Sequence, residues 1–152
     1  MLQRIQTIYL LLVSFLTALL LFFPLAVIGA NDDFYSFSVT GIKHFINDEV
    51  SVPAWGLLFM TISISLMALI TVFLFKRRML QIRFTIFNFI LKLGLYGVIA
   101  YLLWDMKSGV ENFVFDPKIA MCLPAVCLIL DYLAIRNIGA DEALVRSLDR
   151  LR

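Results

Sequence analysis

Charge is what this sequence has least of. Only 16% of its 152 residues are Asp, Glu, Lys or Arg, while 62% are hydrophobic. Soluble domains carry about 25% charged and about 45–50% apolar residues. None of the four charged types occurs between Ile5 and Asn31 or between Glu49 and Lys76. From Phe84 to Trp104 there is one, Lys92. Groups that carry chemistry are equally scarce. The single histidine is His44, and the two cysteines, Cys122 and Cys127, stand five apart, about 140° round a helix at 3.6 residues per turn. That spacing suits neither a disulfide nor a metal site. There is no glycine-rich phosphate loop, no nucleophile elbow and no His-Glu pair on a helix. An enzyme reading has nothing to stand on, and no cofactor is implied. The net charge of +2 lies at the margins of apolar blocks and points to no nucleic acid.

What is present is apolar length. The hydrophobic residues gather in four blocks, 5–29, 54–75, 84–104 and 119–135. Each matches the roughly 17–25 residues that cross about 30 Å of hydrocarbon. The chain therefore reads as a single integral membrane domain with the bilayer as its first partner. Between the second and third blocks lies Lys76-Arg77-Arg78-Met79-Leu80-Gln81-Ile82-Arg83, four cations in eight residues. Short basic loops stay cytoplasmic. Lys76, Arg77, Arg78 and Arg83, with Arg4 before the first block and Arg136 after the fourth, set the topology. Nine Lys or Arg flank the assigned inside and three (Lys43, Lys107, Lys118) the outside, Lys92 being the thirteenth. Both termini are placed in the cytoplasm.

The first block is longer than the 7–15-residue core of a signal peptide and has no Ala-x-Ala site, so it reads as a retained anchor. Gln3, Thr7, Ser14 and Thr17 form one stripe of it. In the first outside loop Phe34 to Thr40 alternates, with Tyr35, Phe37 and Val39 on one side, and predicts a short strand ending at Gly41. Its expected partner is Asn112-Phe113-Val114-Phe115, forming a small antiparallel cap outside the membrane. Thr61 and Ser65 share a face of the second span, with Ser63 and Thr71 pointing elsewhere. Trp55 and Trp104 fall at interface depth. Gly94 and Gly97 permit close helix approach. In the tail, 136–152, Gly139 is expected to break the helix and Asp141 to cap a new amphipathic one with Leu144, Val145, Leu148 and Leu151 on one face.

The costly feature is a polar stripe on the third span: Thr85, Asn88, Lys92 and Tyr96. A charge at mid-bilayer costs about 2.5–3.5 kcal/mol on insertion scales. Lys92 lies nine residues from Arg83 and Asp131 five from Arg136, about 13 and 8 Å deep at 1.5 Å per residue. Two antiparallel spans would bring them level enough for an ion pair, with Asn88 bonding Lys92. The competing reading has Lys92 snorkelling to the cytoplasmic face and Asp131 at headgroup level. The tail helix has three readings: lying on the membrane, packing under its own bundle, or docking a cytoplasmic partner through Leu144, Arg146, Leu148, Arg150 and Arg152.

The start, Met1-Leu2-Gln3-Arg4-Ile5-Gln6-Thr7-Ile8-Tyr9-Leu10, and the end, Asp141-Glu142-Ala143-Leu144-Val145-Arg146-Ser147-Leu148-Asp149-Arg150-Leu151-Arg152, resemble the termini of a bacterial four-span family, domain of unknown function 4293. The resemblance implies an inner-membrane protein and supplies no activity. The expected fold is an all-α membrane bundle of four antiparallel transmembrane helices, with a small extracytoplasmic β cap and a short C-terminal amphipathic cytoplasmic helix. The expected function is non-enzymatic: a structural or accessory component meeting a membrane or cytoplasmic protein partner through its cytoplasmic ends. The alternative is a small transporter or proton-coupled factor using Lys92, Asn88 and Asp131. Four short spans leave little wall for a substrate path, so transport would require a homo-oligomer.

Overall fold

The computed structural model describes residues 2–30, 33–44, 50–74, 77–108 and 113–149. Among them four helices and five strands follow in the order α1 (Leu2–Leu19), β1 (Ala26–Ala30), β2 (Asp33–Ser38), β3 (Gly41–His44), β4 (Val50–Pro53), α2 (Trp55–Phe73), α3 (Arg78–Ser108), β5 (Val114–Pro117) and α4 (Leu123–Asp149). A 3-10 turn over Ile119–Cys122 leads into α4. The helices pack in a closed ring, each against its chain neighbours and α1 against α4. Three of them contain stretches long and apolar enough to cross a membrane: Trp55–Phe73, Met79–Ser108 and Ile119–Asp141. The corresponding part of α1, Thr7–Leu19, is shorter.

The first helix does not run to residue 29. It stops at Leu19, and Ala26–Ala30 turn into a strand. Pro24 supplies the cause, since the residue before proline is pushed out of the α region and proline has no N–H to continue a ladder. Beyond it, Val27 and Ile28 are β-branched residues that suit a strand. Leu25 N–H donates to the Phe37 carbonyl at 2.8 Å, so the extended chain is captured as soon as it leaves the turn.

The cap is larger than expected. Its five strands lie in the order β4-β3-β2-β1-β5, antiparallel at every pairing. The strand predicted over 34–40 exists as β2, yet its neighbours are β1 and β3, and the loop segment expected beside it pairs with β1 instead. β2 ends before Gly41, as the alternation predicts, and Gly41 begins the next strand. The glycine's φ is 142°, a conformation that a side chain would oppose. Phe37, Val39 and Ile42 are buried against Leu20, Leu57, Leu95 and Ile99, so the apolar core lies between the inner sheet face and the adjoining helix ends.

The tail is not a separate helix either. α4 continues through Gly139 to Asp149. A mid-helix glycine costs about 1 kcal/mol relative to alanine, too little to break a helix anchored on each side by good helix formers and by the buried Ala134 and Ile138. Thr71, assigned away from the Thr61 face, is buried with it. Of the two glycines expected to let helices close, Gly94 has Met60 over it, where an added Cβ would meet Cε at 2.8 Å. Gly97 has nothing within 4 Å.

The helix surfaces are apolar, and the interior holds polar side chains among its apolar ones. Phe15, Phe59, Leu66, Phe73, Phe87, Ile90 and Ile129 are exposed. Ser14, Thr17, Thr61, Thr71, Gln81, Thr85, Asn88, Lys92 and Asp131 are buried. Contiguous apolar surface on this scale is what a monomeric soluble protein avoids.

Candidate functional site

The polar interior is built one helix at a time. On α1, Thr17 returns its hydroxyl to the Val13 carbonyl at 2.8 Å. Thr61 does the same to Leu57 at 2.9 Å on α2, and Thr85 to Gln81 at 2.8 Å on α3. Such back-bonding satisfies a buried hydroxyl within its own helix. Ser14 and Ser65 instead bridge two helices, each hydroxyl 3.3 Å from the other residue's carbonyl oxygen. Tyr96 reaches from α3 to the Met121 carbonyl at 2.9 Å, at the irregular start of α4 where Pro124 offers no N–H.

At the centre of this layer Lys92 Nζ donates to Asp131 Oδ2 at 2.5 Å, and both side chains are 0% exposed. The structure thus brings together two of the three residues singled out on the spans. The third behaves differently. Asn88, one turn from Lys92, sends its Nδ2 to the Ile64 carbonyl on α2 at 3.3 Å rather than bonding the lysine. Sequence spacing places Asn88 beside Lys92 but says nothing of which carbonyl lies across the bundle, and the α2 carbonyl of Ile64 is the one it meets. Asn88 Oδ1 and Asp131 Oδ1 are buried without a hydrogen-bond partner.

Cys127, one turn before Asp131, is a neighbour that its spacing from Cys122, suited to neither a disulfide nor a metal, did not single out. It is buried, with Sγ 3.9 Å from the Val13 carbonyl on α1. The i, i+4 step from Asp131 was the available signal. Cys122 is exposed, and both thiols are free. Among the described residues no three His, Cys, Asp or Glu side chains gather where a metal could sit.

Of the cations expected to set the topology, Arg77, Arg83 and Arg136 are exposed. Arg4 and Arg78 are described as helical backbone only, and Lys76 lies outside the described residues. Leu144, Arg146 and Leu148 lie on the last turns of α4, again as backbone; Arg150 and Arg152 lie outside the described residues.

What the arrangement can do follows from its closure. A fully enclosed Lys–Asp pair joins α3 to α4 and cancels two charges that hydrocarbon would not tolerate singly. No curated protein and no solved structure matches the chain. One family model does, over residues 2–151, and the chain belongs to that family, described as Domain of unknown function (DUF4293).

Proposed function

We propose that the protein is a four-span integral membrane protein of the bacterial inner membrane, both termini cytoplasmic, acting without catalysis as a structural or accessory component. Its contact face is the cytoplasmic one: the basic turn between α2 and α3 and the end of α4. The observation that carries this reading is the enclosure of Lys92 and Asp131, each 0% exposed and bonded to the other. A charged pair sealed inside an apolar-coated ring serves as a strut between helices, and strut and contact face together fit a component of a larger assembly. The positive flanks supply the orientation, with the sheet outside.

Purification in a mild detergent, followed by identification of what co-elutes, tests the proposal. The expected result is a stoichiometric protein partner that is lost when Arg146 and Arg150 are changed to Glu and retained when Lys43 is. Isolation of the chain alone at full stability, together with solute or proton flux in proteoliposomes that Lys92→Met abolishes, would overturn it. Transport is the second reading, and the two buried acceptors without partners, Asn88 Oδ1 and Asp131 Oδ1, are what favour it. Such atoms are the ones that a passing water or cation would take up.

A further inference from the structure

At the sheet end of the bundle the outer face of β2 and β3 meets the turn between α1 and β1 in a cleft of about 360 Å³. Its two walls differ in kind. Ser36, Lys43 and their neighbours form one; Leu21, Phe22 and Pro24 form the other. Ser36 and Lys43 stand directly opposite in the β2–β3 register, so their side chains rise together from one face, roughly 5 Å apart at Cβ. Ser38 and Thr40 are already engaged, Ser38 donating to the Gly41 carbonyl at 2.9 Å and its oxygen lying 2.8 Å from Thr40 Oγ1. The Ser36 hydroxyl and the Lys43 ammonium make no such bond among the described residues. They are a hydroxyl and a cation aimed into one recess, the donor set that phosphate oxygens accept.

The other wall continues into grease. Pro24 also lines a second groove of about 490 Å³ with Leu19, Phe23, Ile119, Ala120 and Leu123. Phe22, 80% exposed, stands at the same end as Trp55 and Trp104. Aromatic rings of this kind lie at the water–hydrocarbon boundary. Polar recess and apolar groove therefore adjoin at the depth where a phospholipid changes from headgroup to acyl chain.

We propose that the two clefts together bind one phospholipid, its phosphate held by Lys43 and Ser36 and an acyl chain laid along Pro24, Phe23 and Leu123. Lys118, at the rim of the apolar groove, is neutralised by Asp116 at 2.7 Å, which leaves Lys43 as the recognising charge. The inference requires a bilayer surface at the sheet end and is independent of any role for the cytoplasmic ends.

The test uses the full chain, extracted in dodecyl maltoside, delipidated and titrated with phosphatidylglycerol in mixed micelles. Native mass spectrometry reads the retained lipid. One adduct per chain is expected. Lys43→Gln should weaken retention about tenfold, the cost of a charge-assisted contact. Ser36→Ala should weaken it severalfold, while Lys107→Gln, outside the cleft, should leave it unchanged. Equal retention by wild type and Lys43→Gln overturns the proposal. Saturation of the site by inorganic phosphate alone overturns it too, because the ligand would then be a free anion. If Lys43→Gln elutes as aggregate, Ser36→Ala, which removes a single oxygen, decides between the outcomes.

Discussion

Lys92 and Asp131 meet at 2.5 Å with neither side chain reaching the surface, so each is the sole counter-charge that the other has in reach among the described residues. Removing one strands the other. Lys92→Met should destabilise the protein by about 3–5 kcal/mol, the cost of leaving a buried charge unpaired. Adding Asp131→Asn should recover most of that loss, because the stranded charge is gone. Thermal unfolding of the two variants in detergent reads the difference, and a double variant no more stable than Lys92→Met would count against an energetic pair.

Ser14 and Ser65 make the corresponding link between α1 and α2. Interhelical bonds of this type average about 0.6 kcal/mol in a membrane protein and reach about 1–2 kcal/mol in model peptides. Each single Ser→Ala variant should cost about that much, and the double variant about the sum, because each substitution leaves in place the backbone carbonyl that the other hydroxyl bonds. A double variant no worse than either single one would show that the two bonds form only together.

Gly139 lies within a continuous helix with nothing within 4 Å of an added Cβ. Alanine should therefore fit and stabilise α4 by about 0.5–1 kcal/mol, chiefly by removing backbone freedom from the unfolded chain. Were the helix broken there by a left-handed glycine, the same substitution would destabilise. The sign of the change in unfolding midpoint separates the two.

The cysteines offer a chemical check on burial. Cys122 is exposed and Cys127 is not, so a small maleimide should label the folded protein once, at Cys122, and a second time only after denaturation. Labelling of Cys127 in a Cys122→Ser background under native conditions would mean that water reaches the neighbourhood of Asp131, as transport requires.

Parts of this architecture can be read directly from residue order. The nearness of Lys92 to Asp131 follows from two counts, nine residues from Arg83 and five from Arg136, once the helices run in opposite directions. β2, Asp33–Ser38, follows from the alternation over Phe34–Thr40, because a sheet with one face on a core repeats every two residues. The conversion of Val27 and Ile28 from span to strand is far less legible. An apolar run has no periodicity to mark where helix gives way to extended chain, and Pro24 and the β-branched pair Val27-Ile28 are the local signs. Pairing order is harder still. Nothing in Phe113-Val114-Phe115 says that β1 rather than β2 receives it, since that depends on where Pro24 has already sent the preceding chain. Asn88 failed as a lysine partner for a similar reason, a carbonyl on another helix being invisible from spacing along its own.

The pairing of β1 with β5 has a consequence for assembly. One margin of β1 is covered by β2 almost as soon as it emerges, but the other must wait for Val114–Pro117, which the ribosome delivers only after the whole of α2 and α3. Throughout that interval one margin of β1 has no strand beside it and stays open to misregistered neighbours. Completion of the cap thus reports that α2 and α3 have already been made and packed, and a nascent chain arrested before Val114 should be caught with that margin still adhesive.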